Sequence, residues 1–97
     1  MKPITSQEID KIKLPDIIIE IINKLIVKNF DGKSAWVKEK TIISQILDKT
    51  LPYQRSEIFD KGLMNDYIIR INYENAGWKV KYSCYNNSYY FIFKKYG

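Results

Sequence analysis

The sequence predicts an α+β domain, with helices packed on a small antiparallel three-stranded sheet in the order α-β-α-α-β-β. Three observations carry this. Residues 15–29 place apolar side chains at helical spacing, residues 77–97 alternate about a short polar loop, and Ser34–Lys40 forms one isolated alternating segment. A lone short strand has somewhere to go only if it joins the hairpin, so the sheet has three strands with helices against one face. Ninety-seven residues make a single domain, 1–97, large enough for a modest core without metals or bridges.

The elements follow in order. Thr5-Ser6-Gln7-Glu8 has capping-box spacing and opens a short helix reaching about Lys13, which Leu14-Pro15 interrupts. The main helix begins at Pro15 or Asp16, where proline suits a first turn and an acid favours the positive helix end, and runs to about Asn29. On it Ile17, Ile18, Ile19, Ile21, Ile22, Leu25 and Ile26 cover an arc of roughly 200°. So wide an arc means a helix central to the domain, or one whose flank a second copy buries; the central position is expected.

Phe30-Asp31-Gly32-Lys33 is a turn, with Gly32 able to take positive φ. Ser34–Lys40 then alternates as an edge strand, Ala35 and Val37 on one side, Ser34, Trp36 and Lys38 on the other. Trp36 beside lysines is either a stacking site or a rim residue covering the core, and the rim is the expectation. Thr41 is placed to cap a helix bearing Ile42, Ile43, Ile46 and Leu47 at core spacing, ended near Thr50 by Pro52. YQRSEIFDK forms another short helix starting near Pro52 or Ser56. Asn65 or Asp66 caps a further helix through Tyr73 to Ala76, with Gly77 as its left-handed stop.

The hairpin turns at Tyr85-Asn86-Asn87-Ser88. Its more apolar face, Trp78, Val80, Tyr82, Phe91 and Phe93, belongs to the core, which leaves Lys79, Lys81, Tyr90, Ile92 and Lys94 outward. Cys84 is expected half-buried and unreactive, having no basic His or Arg beside it to make it a thiolate.

Charge singles out this hairpin. It holds Lys79, Lys81, Lys94 and Lys95 and none of the eleven acids, so four of the five net positive charges lie there. A basic surface favours an acidic partner. The same lysines could simply solvate and protect an open sheet, with the tyrosines finishing a small core.

Other chemistry is missing from the residue list. No His and a single Cys leave no imidazole or thiolate metal site and no His-based triad, so no metal or cofactor is expected. Gly32-Lys33-Ser34 lacks the upstream glycine of a P-loop and reads as a turn. Pairs such as Glu57 and Asp60, or Asp60 and Asp66, are spacings that eleven acids produce by chance. An enzyme is not expected. No apolar run spans a bilayer and no signal-peptide core follows Met1-Lys2-Pro3, so a cytoplasmic protein without membrane attachment is expected.

Two resemblances follow. The element order is similar to that of winged helix-turn-helix domains, in which the third helix enters the major groove and the hairpin is the wing. The segment Thr41–Ala76 is longer than a tight helix-turn-helix. Its last helix, DYIIRINYENA, offers only Arg70 against Asp66 and Glu74, which disfavours duplex readout. More of the chain, Lys28–Lys38 (KNFDGKSAWVK), Arg55–Gly62 (RSEIFDKG) and Ala76–Lys95 (AGWKVKYSCYNNSYYFIFKK), resembles small uncharacterised proteins of bacteriophages and prophages. The matching positions are Gly32, Gly77, Trp78, Val80, Tyr82, Tyr85, Asn86, Tyr89 and Phe93; Cys84 departs from the pattern. This resemblance implies a phage or mobile-element origin, hence the host cytoplasm, and brings no particular biochemical activity with it.

Two functional expectations result. The first is a phage factor that binds and inhibits a host protein or protein–nucleic acid complex, in counter-defence for example as an anti-CRISPR. The second is nucleic-acid binding by the hairpin, single strands before duplex, each stacked base contributing roughly 1–3 kcal/mol. Both use one candidate surface: Lys79, Lys81, Tyr85, Asn86, Asn87, Tyr89, Tyr90, Lys94 and Lys95. The broad isoleucine arc adds a homodimer as a further expectation.

Overall fold

The computed structural model of the protein describes residues 13–60 and 65–95, without the side chains of residues 57 and 60. The elements are α1 (Asp16–Asn29), β1 (Ser34–Lys38), α2 (Glu39–Lys49), α3 (Pro52–Asp60), α4 (Asp66–Asn75), β2 (Trp78–Tyr85) and β3 (Ser88–Lys95). The strands form one antiparallel sheet in the order β1-β3-β2. The expected α+β class, element order and three-stranded sheet are what the chain adopts. The capping box at Thr5 and the helix after it lie outside the described residues.

Helix α1 is the centre of the core. Isoleucine is a mediocre helix former because its β-branch restricts χ1, so burial holds this helix together more than propensity does. Ile18, Ile21, Ile22, Leu25 and Ile26 are buried, and Ile17 and Ile19 are partly so. The wide apolar arc is thus used within one chain, against β1 and α2 on its two flanks. Its exposed side carries the Glu20–Lys24 ion pair at 3.1 Å.

The turn after α1 is closed by Asp31. Its Oδ1 accepts from the backbone N–H groups of Lys33 and Ser34, each at 2.9 Å, while Gly32 takes φ +102°. These are the amides a phosphate loop would aim at its ligand, and here a carboxylate occupies them. The same two N–H groups, Ser34 first, hold the Asp31 carboxyl below its ordinary range.

The first strand is shorter than the alternation suggests, ending at Lys38, because helix α2 starts at Glu39 with no intervening loop. Lys38 is therefore the residue before the first turn, and Thr41 lies inside the helix instead of capping it. Leu47 is also off the core, 41% exposed, since Ile42 and Ile46 already fill the buried stripe. Arg55, from α3, serves the other end of α2: its Nη2 donates to the Leu47 and Thr50 carbonyls, groups that a helix C-terminus leaves without partners.

Helix α4 is capped as expected by Asn65, whose Oδ1 accepts from Tyr67 N–H at 2.7 Å. It ends at Gly77, φ +100°, whose N–H donates to the Glu74 carbonyl. Tyr73 fastens α4 to α1: its hydroxyl donates to Asn23 Oδ1 at 2.8 Å, and its ring meets Phe93 edge-on at 5.1 Å. Burial pushes that hydroxyl's pKa well above the ordinary tyrosine range.

Candidate functional site

Residues directly opposite one another in antiparallel strands share a face, so the register sorts the sheet into two surfaces. On the helix side lie Ala35, Val37, Phe91 and Phe93, all fully buried, with Val80, Tyr82 and Trp78 packed at the margin. On the outer side the rows read Ser34–Lys94–Lys79, then Trp36–Ile92–Lys81, then Lys38–Tyr90–Ser83, then Ser88–Tyr85. Every charged residue of the strands on this outer side is a lysine.

The outer face has a floor of its own. Ile92 is 3% exposed although it points away from the helices, and it is not a member of the main core cluster. Its cover comes from the same face, where Trp36 and Lys81 stand directly opposite it on either side. Trp36 gathers the tyrosines: its ring lies 5.0 Å from Tyr85 and 5.7 Å from Tyr90. Even so, Trp36 and Tyr85 remain 43% and 41% exposed, while Lys79, Lys81 and Lys94 are exposed at the edge of the cluster. Lys79 and Lys94 are direct cross-strand neighbours and concentrate positive charge at this end of the face.

The structure divides the surface expected from the sequence. Lys79, Lys81, Tyr85, Tyr90 and Lys94 share the outer face. Tyr89 and Lys95 do not. Tyr89 is on the helix side of the sheet, where its ring stacks on Tyr82 at 5.1 Å, and Lys95 is paired with Trp78 at the far end. The reason is the period of two: Tyr89 falls in step with Phe91 and Phe93, not with Tyr90. Asn86 and Asn87 form the turn itself, with φ of 50° and 65°. Positive φ at both central residues is the mark of a type I′ hairpin turn.

Trp36 is the residue whose role sequence reasoning misjudged. As a rim residue it would cover the main core; it instead roofs Ile92 on the opposite face. The signal was its alternation with Ala35 and Val37, which placed it on the lysine side. Cys84 is exposed, not half-buried, because it lies beyond the reach of the helices at the hairpin tip.

On the helix side Tyr82 donates its hydroxyl to Glu39 Oε2 at 2.8 Å, tying the hairpin to the start of α2. Desolvation, then this carboxylate, raises its pKa above the ordinary range. Helix α4 offers little to a duplex groove. Ile68, Ile69 and Tyr73 are buried, and Arg70 lies over the Tyr67 ring at 5.8 Å. Among the described residues no cluster of three His, Cys, Asp or Glu could hold a metal, and no helix is long and apolar enough to cross a membrane. The side chains of Glu57 and Asp60, which form the carboxylate spacings noted above, lie outside the described residues.

No family model, no curated protein and no solved structure matches this chain.

Proposed function

We propose that the protein is a non-enzymatic binding protein whose outer sheet face takes nucleic acid. The observation that carries this reading is the composition of that face: a cluster of exposed aromatic rings over a buried Ile92, bordered among strand residues by lysines alone. Lysines neutralise phosphates, and release of counterions makes such binding steeply salt-dependent. The test is the anisotropy of labelled oligonucleotides titrated across ionic strength. Affinity should fall as salt rises, and the double substitution Lys79→Glu with Lys81→Glu should abolish it. Absence of binding at low salt, or unchanged binding by the double variant, would refute the reading.

A second reading, a phage-encoded factor that inhibits a host protein, is supported by a different surface. Leu47, Leu51 and Tyr53, at the end of α2 and the start of α3, are all exposed apolar or aromatic side chains. Aromatic side chains are enriched at protein interfaces. Affinity purification from expressing host cells tests it: a host protein should be retained by the wild type and lost with Leu51→Ser plus Tyr53→Ala. Retention of the same protein by that variant would count against the surface.

A further inference from the structure

We infer that the ligand of the outer face is a single strand, its unpaired bases stacked on Trp36 and the neighbouring Tyr85 and Tyr90 rings and its phosphates held by Lys81 and Lys94. This rests on the nucleic-acid reading above and adds to it the strandedness and the base-contacting residues.

Three features of the face lead there. First, the aromatic rings run diagonally from Trp36 through Tyr90 to Tyr85 at the hairpin tip, with Lys38 beside Tyr90 and Lys81, Lys79 and Lys94 toward the other end, so a ligand meeting both must present flat apolar groups joined by anions. Unpaired bases on a phosphate chain have that pattern. Bases inside a duplex expose only their edges and cannot stack on a side chain. Second, the element that would read a duplex, α4, spends its one arginine over Tyr67 and carries Asp66 and Glu74. Third, the platform is already assembled. Trp36 is held by two ring contacts and rests beside buried Ile92, so little side-chain freedom remains to be lost when a base arrives.

An acidic peptide could satisfy the lysines but would leave the rings unmatched. The difference is measurable through tryptophan fluorescence. The other tryptophan, Trp78, packs edge-on against Phe30 on the far side of the sheet and can be replaced by phenylalanine, making Trp36 the sole reporter. In this Trp78→Phe protein, short oligothymidylate or oligouridylate should quench Trp36, bind more tightly than a duplex of equal length, and resist displacement by polyglutamate. Trp36→Leu keeps an apolar cover on Ile92 without a π-face and should weaken oligonucleotide binding by roughly five- to a hundredfold, with Trp36→Phe recovering part of the loss.

The outcomes separate the two levels of the proposal. Salt-dependent binding of duplex as tight as single strand, with no quenching of Trp36, overturns the inference and leaves the nucleic-acid reading standing. Quenching by polyglutamate equal to that by oligonucleotide also overturns it, in favour of an acidic protein segment. No nucleic-acid binding at low salt overturns both. Should Trp36→Leu fail to fold, quenching in the Trp78→Phe protein decides alone.

Discussion

At the residue scale, three polar side chains and one buried isoleucine on the outer face decide most of what can be tested. Tyr73 joins α4 to α1, and Tyr73→Phe should lower stability by about 0.5–1.5 kcal/mol in denaturant melts. Its pH behaviour has a definite sign. The fold raises the pKa of Tyr73 and Tyr82, so it favours their neutral forms. The resulting stability is complete below the unfolded value of about 10 and is lost as pH rises through the folded values. Wild-type denaturation midpoints should therefore fall on the alkaline side, and less steeply in Tyr73→Phe. Asp31 behaves oppositely: its lowered pKa contributes stability above the ordinary carboxyl range, lost as pH falls through the folded value. Asp31→Ala should flatten the acid limb. Ile92→Ala should cost about 2–4 kcal/mol although the residue faces away from the helices, since its neighbours on the sheet bury it. Such a position cannot be read from alternation alone. Alternation assigned Ile92 to the outer face correctly; how deeply its neighbours would cover it depends on register and ring placement across three strands.

At the element scale, punctuation was the most legible part of the sequence. Asn65 as a cap, Gly77 as a stop and the Asn86-Asn87 turn all act locally, through a side-chain oxygen or a positive φ, and needed no tertiary information. Gly77 gives a clean test because a Cβ there would meet nothing within 4 Å. Gly77→Ala should therefore cost only backbone strain, about 1–2 kcal/mol, and Asn87→Val a similar amount at φ 65°. Circular-dichroism melts of the two variants measure it. The elements that sequence reasoning misplaced are those where a tertiary contact replaced a local signal. The chain leaves β1 directly into α2, so Thr41 never reaches a cap position, and Arg55 closes α2 from a different helix.

For the whole molecule, the relevant question is where apolar surface remains after folding. The isoleucine arc that suggested a second copy is spent on β1 and α2, and Val27, 79% exposed on α1, stands beside Lys24 and Lys28. Sedimentation should report a monomer of 11.6 kDa. A dimer would instead direct attention to the Leu47–Tyr53 surface. The outer sheet face is only half legible in the sequence, because its tyrosines and most of its lysines lie in the hairpin while Trp36 and Lys38 arrive from β1, far away in sequence. Only pairing of β1 with β3 brings the platform together.

That pairing also sets the order in which the sheet can assemble. The strand in the middle of the sheet is made after both of its neighbours, and Ser34 must wait for Lys94 before it has a cross-strand neighbour in the sheet. A nascent chain carrying β1, every helix and β2 still has no sheet, because β1 and β2 do not pair with each other. The core meanwhile lacks Phe91 and Phe93, two of its fully buried side chains. The apolar core and the aromatic platform are consequently completed together, once β3 has been made. A ribosome stalled ahead of Phe91 holds neither.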